Sequence, residues 1–416
     1  MFAKARKIYH EFPRTFWVLV GATFIDQIGA ALIFPFFSLY ITQKFNVGML
    51  QVGELFGIFT VTGMLGSFVG GGMADRFGRR TVVIFGLVIS ALSSLAMGLV
   101  NDLNVFFGLA VVVGLLSSFG GPARQAMIAD ILPEKKLAEG FGMFRISFNL
   151  AVTFGPMLGG LLAGYSFMLL FIADAVSSII MAAIVLAVLP ETRPEVDKTR
   201  PQESFLQTLG GYSRVLRDGL FMGFVGVIAL MLLVYMQMNS TLPVYLRDVH
   251  NIPAQGYGYI LSMNAAMVVL LQFWFTRRFS GFPPMLVMAL GTAFFVVGFS
   301  MYGFTSTYAM FVLAMIIITI GEMIVTPVAQ SIAAQFAPAD MRGRYMAIYG
   351  FGWSIPGALA PLAAGLIMNA FDPRWVWYAG GIVAMLTVGG YLWLHIRTHP
   401  LIHPAQVEAA APAASD

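Results

Sequence analysis

Twelve apolar runs, each long enough to cross a bilayer as a helix, set the limits on what this chain can fold into. They fall at about 15–42, 49–73, 81–101, 104–131, 138–164, 167–189, 219–246, 255–276, 284–304, 307–335, 343–369 and 375–396. Inside hydrocarbon a backbone must bond its own N–H and C=O groups, which a single run achieves only as an α-helix. Of the 416 residues, 58% are hydrophobic and 11% charged, against about a quarter charged in soluble domains. The fold class is therefore an all-α integral membrane protein with twelve transmembrane helices.

Charge sits between the runs. With the N-terminus inside, nineteen of the 24 Lys and Arg residues lie in inner segments and three, Lys44, Arg247 and Arg374, in outer ones; Arg124 and Arg145 lie within runs. That bias places both termini in the cytoplasm. The net charge of +4 is topological and points to no nucleic-acid partner. The absence of cysteine excludes disulfides, thiolate metal sites and a cysteine nucleophile. His10, His250, His395, His399 and His403 read as lying outside the spans, so neither an imidazole metal cluster nor an intramembrane hydrolase is expected. The basic start leads into a run too long for a signal-peptide core, and the first span reads as a retained helix.

The longest polar interruption divides the runs six and six. It gives an N-terminal bundle over 1–189, a cytoplasmic linker over 190–218, a C-terminal bundle over 219–398 and a disordered, Ala- and Pro-rich tail over 399–416. Landmarks recur between the halves: Pro122 and Pro327, Gln125 and Gln330, Pro133 and Pro338, Pro156 and Pro361, and Gly160 and Gly365 are each 205 residues apart. Such recurrence signals an internal duplication. In the first spans the offset reads as drifting, with Pro35 matched to Pro243 at 208 and Arg76-Phe77 matched to Arg278-Phe279 at 202.

Between the second and third runs stands Gly71-Gly72-Met73-Ala74-Asp75-Arg76-Phe77-Gly78-Arg79-Arg80. Its glycines permit close helix approach and a tight reversal, and Asp75 among cations can be held ionised against a helix end or an arginine. With Gly71, Asp75, Arg76, Gly78, Arg79 and Arg80 all in place, this stretch resembles the signature loop of the major facilitator superfamily. The resemblance implies two parallel, pseudo-symmetric six-helix bundles. It also implies a conformational latch in which Asp130 pairs with an arginine of the loop, Arg79 being the candidate, while Asp75 faces the start of span eleven. In the second half Arg277 stands in place of Asp75 and Phe273 in place of Gly71, so the strong latch is expected in the first half alone.

In span five, Gly142, Ala151, Gly155, Pro156 and Gly159 resemble the motif of the superfamily's antiporters, with Ala151 replacing a glycine. Positions 151, 155 and 159 lay small residues along one face for close helix contact, and Pro156 bends the helix. The alternative is packing without mechanistic meaning.

An ionisable side chain in the bilayer core is costly unless it meets water or a partner. Asp26 in span one and Glu322 in span ten are therefore candidate proton-exchanging carboxyls, with Asp174 of span six a third; each could instead anchor only a polar helix contact. The resemblance implies that spans one, four, seven and ten line a central cavity, for which Gln27, Phe34, Phe37, Tyr235, Gln237, Met238 and Asn239 are candidates. The family's usual span-four arginine is absent, its place being Ala110. Arg124 or Arg145 either replaces it or anchors the inner surface.

What the resemblance implies for function is a proton-coupled secondary transporter of the drug:proton antiporter branch. It would act as a monomer in the bacterial inner membrane, exporting lipophilic or amphiphilic small molecules by alternating access. The driving force is the proton gradient, with no cofactor or metal, and no enzyme activity is expected. No Gly-x-x-x-x-Gly-Lys-Ser/Thr phosphate loop supports drive by ATP. The rivals are a lipid or glycolipid flippase, a proton-coupled metabolite importer and a non-transporting membrane sensor.

Overall fold

The computed structural model describes residues 9–133, 136–192, 212–279, 281–338 and 341–398, so the expected tail and most of the expected linker lie outside it. Among the described residues, twelve helices are long and apolar enough to cross a membrane. They are α1 Arg14–Phe45, α2 Met49–Ala74, α3 Arg79–Leu99, α4 Leu103–Ile131, α5 Glu139–Tyr165 and α6 Phe167–Val188, then α7 Gly219–Ser240, α8 Ala254–Phe279, α9 Pro284–Phe304, α10 Tyr308–Ala333, α11 Arg344–Ala370 and α12 Trp375–Thr398. The protein is a multi-pass, all-helical membrane protein. One expectation is corrected: α12 runs on to Thr398, so His395 lies in its last turn and not outside the spans.

Proline and capping residues shape these helices locally. Pro35 lacks an N–H and its ring crowds the carbonyl one turn back, and α1 tightens there into a 3-10 turn over Phe34–Phe36. The helix of α4 is interrupted after Ser117 and resumes at Gly120, just before Pro122. α7 leaves regular helix after Tyr235, and a short helix, Leu242–His250, follows it with Pro243 in its first turn. Asp102, Ser166 and Asp218 cap α4, α6 and α7 by accepting from the N–H groups of Val105, Met168 and Phe221.

The chain forms two compact units, the first Met1–Val47, Glu54–Asp197 and Pro253–Ser262, the second Gly48–Gly53, Lys198–Ile252 and Met263–Asp416. In the first unit α1 packs on α5 and α6, and α3 on α4 and α6. In the second, α7 packs on α11 and α12, and α9 on α10 and α12, the same arrangement six helices later. Each unit also takes in one end of a helix from the other half of the sequence, where glycines allow backbones to meet. A Cβ on Gly160 would lie 2.9 Å from Gly258 Cα, and one on Gly53 would lie 2.4 Å from Leu362 Cα.

The structure corrects the reading that the repeat offset drifts. Asn46 and Asn251 both end a helix in the left-handed region, with φ of 51° and 56°, and they are 205 residues apart. The Tyr40 hydroxyl donates to the Met97 carbonyl and the Tyr245 hydroxyl to the Tyr302 carbonyl, again at 205. Pro35 and Pro243 are thus not equivalent; they break their helices one turn apart. In this register Asp75 stands opposite Ser280 and Gly71 opposite Thr276, instead of Arg277 and Phe273.

Candidate functional site

In the first unit α1, α4 and α6 bring a charged pair together inside the membrane-spanning region. Arg124 Nη1 lies 3.2 Å from Asp26 Oδ2, and the Ser178 hydroxyl donates to Asp26 Oδ1 at 2.8 Å. Both charged side chains are only 14% exposed. One turn along α6, the buried Asp174 accepts from the Ser94 hydroxyl of α3. Here a glycine is required: a Cβ on Gly29 of α1 would lie 2.1 Å from Ser177 Oγ and 2.7 Å from Asp174 Oδ1. The close crossing it permits gathers both acids into one polar cluster. Asp26 is thereby held by one charged partner, Arg124, and one neutral partner, Ser178.

The second unit holds an acid differently. Glu322 of α10 accepts from the Tyr235 hydroxyl at 2.8 Å and from Asn264 Nδ2 at 2.9 Å; the same amide nitrogen also donates to Thr319. Tyr235 stands where α7 leaves regular helix, which frees its ring to reach across to α10. Beside it opens a small apolar cleft, lined among others by Met231, Phe295, Ala329, Tyr349 and Trp353. In the 205-residue register, Met231 stands for Asp26 and Ala329 for Arg124, so this unit has an apolar cleft where the first has its ion pair. Glu322 in turn stands opposite Ser117, and Asn264 opposite Phe59. The two polar clusters are where the duplicated halves part company.

A third cluster closes one end of the first unit. Helix α2 continues to Phe77, Gly78 turns the chain with φ of 100°, and α3 begins. Arg79 Nε lies 3.1 Å from Asp130 Oδ2 at the end of α4, and Thr192 donates to the same oxygen at 3.2 Å. The Glu191 carboxylate accepts from the backbone N–H groups of Arg79 at 2.7 Å and Arg80 at 3.3 Å, capping α3 across more than a hundred residues of chain. The Arg80 guanidinium donates to the carbonyls of Val185 and Leu186 at the end of α6.

Other sequence candidates fall as follows. Arg76 is exposed beside the Phe77 ring, and the Asp75 side chain lies outside the described residues. Gly71 is not the close-approach glycine of α2. Toward α4 that role falls to Gly66 and Gly70, where a Cβ would lie 2.0 and 2.5 Å from backbone atoms of Leu115 and Phe119. On α5, Ala151 is buried, and Gly155 and Gly159 face α1, a Cβ on Gly155 falling 2.4 Å from Ala31 Cβ; Gly142 is exposed and contacts nothing there. Pro156 sits inside the helix next to that crossing. Arg145 is exposed, and Ala110 is fully buried.

Among the expected cavity residues, Tyr235 lines the cleft, Gln27 and Asn239 are half-buried, and Phe34 is exposed. Three are packed within their own units. Phe37 is buried against Phe56, Phe59 and Phe106, Met238 is buried, and buried Gln237 donates to the Ala360 carbonyl and accepts from Thr241. Sequence reasoning missed Ser94, Ser178, Asn264, Glu191 and Thr192. It sought neutral polar residues only in the expected cavity-lining spans one and seven, whereas a neutral polar residue in the apolar runs of spans three, six and eight and an acid just past a helix end were the available signals.

The sequence profile of the Major Facilitator Superfamily matches residues 19–361 and 287–415. The chain belongs to that superfamily. Among curated relatives, a "Na(+), Li(+), K(+)/H(+) antiporter" of Planococcus maritimus is 28% identical over 407 residues, covering 90% of this chain and 94% of the relative. The multidrug resistance protein MdtH of Shigella flexneri is 24% identical over 378 residues, covering 88% and 90%. Of solved structures, the nucleoside transporter NupG superposes with a TM-score of 0.76 at 14% identity, covering 92% of this chain and all of that one. A bacterial homologue of the lysosomal transporter Spinster gives 0.74 at 14% identity, covering 91% and 96%. This superfamily member is a membrane transporter, and it moves its solute without transforming it.

Proposed function

We propose that this transporter is a proton-coupled antiporter of the drug:proton type, exporting lipophilic or amphiphilic small molecules across the bacterial inner membrane as a monomer. The observation that carries the reading is the Asp26–Arg124 pair, a carboxylate held by a counter-charge inside a membrane-spanning segment. Glu322, satisfied by two neutral donors, supplies a second exchangeable proton. Relatives named as a cation/proton antiporter and a multidrug resistance protein support this coupling and substrate class. The Arg79–Asp130 contact, the Glu191 cap and the positions Gly71, Asp75, Arg76, Gly78 and Arg80 form the latch that holds one conformation, and it opens as the two bundles rock. Of the Gly142, Ala151, Gly155, Pro156 and Gly159 motif, Gly155 and Gly159 give α5 its close contact with α1, while Gly142 lies outside that contact.

A monovalent metal cation as the exported species is the second reading. It is favoured by the oxygen-rich grouping of Asp26, Asp174, Ser94 and Ser178 and by the name of the Planococcus relative. Everted vesicles with an imposed inward-acid pH gradient separate the two: dye uptake or sodium-triggered proton release identifies the substrate. Asp26→Asn is expected to lower proton-driven flux at least tenfold, and Glu322→Gln to lower it further or change its stoichiometry. Undiminished proton-driven flux in both variants refutes the assignment of these carboxyls.

A further inference from the structure

The duplication places two aromatic cages at equivalent points of the two units, and their contents differ. In the first unit the Phe45 ring, at the end of its helix, packs against Tyr40 and Phe106 with centroids 6.5 and 5.3 Å away. In the second unit the equivalent residue, 205 positions on, is His250, packed against Tyr245 and Phe311 at 5.0 and 4.7 Å. Around the cages the correspondence continues. Tyr40 and Tyr245 bond the carbonyls of Met97 and Tyr302, and the next carbonyls, those of Gly98 and Gly303, accept from Lys44 and from the Tyr378 hydroxyl. An imidazole thus occupies a place the fold fills with a phenyl ring.

We infer that His250 is a proton-sensing plug: neutral, it stays in its cage and closes the end of the short helix Leu242–His250; protonated, it leaves and loosens that segment. Its Nε2 atom is buried without a partner among the described residues. In the imidazolium both ring nitrogens carry an N–H, so Nε2 would then be a buried charged donor with no acceptor, at a cost at least that of an orphaned polar group. The other unpaired polar atom of the cage, Trp377 Nε1, is itself a donor and offers nothing. Burial and the Arg374 charge hold the His250 imidazole below its usual range.

The charged and titratable surroundings can be taken element by element. Arg374, between α11 and α12, acts on both His250 and Tyr245, while Asp372 of the same connection and Tyr378 of α12 act on Tyr245. On its own helix Arg247 pairs with Asp248 at 2.6 Å. Tyr302 of α9 is fully buried, and α10 contributes the uncharged Phe311. Burial pushes the Tyr245 phenol up to about 12, so between pH 5.5 and 8 the imidazole is the group of this cage that titrates.

The caged state binds fewer protons than the open one. Its advantage is therefore full above about 6.5, the pKa of a free imidazole, and is lost as pH falls below it, by up to about tenfold in population per pH unit. Amide hydrogen exchange of the full chain in lipid nanodiscs, corrected for intrinsic rates, tests this. Protection over 242–252 should fall with pH below about 6.5 in the wild type, while the Phe37–Phe45 helix, carrying the phenyl version of the cage, stays flat. His250→Phe and His250→Gln should both abolish the pH dependence over 242–252, the first because the repeat already accommodates phenylalanine there. Flat wild-type protection, or an unchanged pH slope in either variant, overturns the inference. Neither result bears on whether flux is proton-driven, which vesicle assays decide separately.

Discussion

Replacing Asp26 by alanine should strand Arg124, and the geometry sets the size of the effect. At 3.2 Å the pair attracts by about 5 kcal/mol with an effective dielectric constant of about 20, before the cost of removing both charges from water. That cost cancels most of the attraction, so deleting the whole pair changes little. Deleting one member instead leaves an uncompensated charge, typically about 3–5 kcal/mol. With 14% of each side chain still exposed, the lower end applies, and Asp26→Ala should destabilise the first unit by about 3 kcal/mol. Asp26→Asn keeps one oxygen where the carboxylate offers two, so only one of Ser178 and Arg124 keeps its acceptor and the other meets an NH2 group, and it should cost about 1–2 kcal/mol. Adding Arg124→Leu to Asp26→Ala should recover about 2 kcal/mol or more, the signature of an interacting pair. Unfolding in SDS mixed micelles, followed by tryptophan fluorescence, measures all three. A double variant no more stable than Asp26→Ala alone, or an Asp26→Ala protein within about 0.5 kcal/mol of wild type, would show that the pair is not coupled as the distances indicate.

Two further outcomes follow from the same geometry. Gly78→Ala places a side chain at φ of 100° and a Cβ 2.4 Å from the Glu191 carboxylate, so it should cost about 1–3 kcal/mol, and adding Glu191→Ala should relieve the steric part while leaving the backbone strain. Comparing midpoints of the single and double variants in the same micelle titration checks that ordering. Tyr40→Phe removes the hydroxyl's bond to the Met97 carbonyl and the one it accepts from Lys44, while Tyr245→Phe removes the bond to the Tyr302 carbonyl, and they should cost about 2 and about 1 kcal/mol; effects differing by more than about 2 kcal/mol would show that the duplicated carbonyl contacts are not equivalent.

The twelve spans and the 205-residue recurrence were legible in the chain because a bilayer makes each helix a local matter. Every segment must satisfy its own backbone, so apolar length reports the span directly, and Pro156 with Pro361 or Gly160 with Gly365 mark the duplication without any knowledge of packing. Asp26, Asp174 and Glu322 were visible for the same reason, as charges where hydrocarbon tolerates few. Their partners were not. Arg124 reaches Asp26 across 98 residues and Glu191 caps α3 across 112, and such meetings depend on how far each helix is rotated and how closely glycines let it approach its neighbours. Even the register of the first spans misread from prolines became clear only when Asn46 and Asn251 appeared at matching helix ends. Composition and periodicity fix which segments cross the membrane, while the contacts that give those segments chemistry are set by crossings whose rotation no single helix encodes.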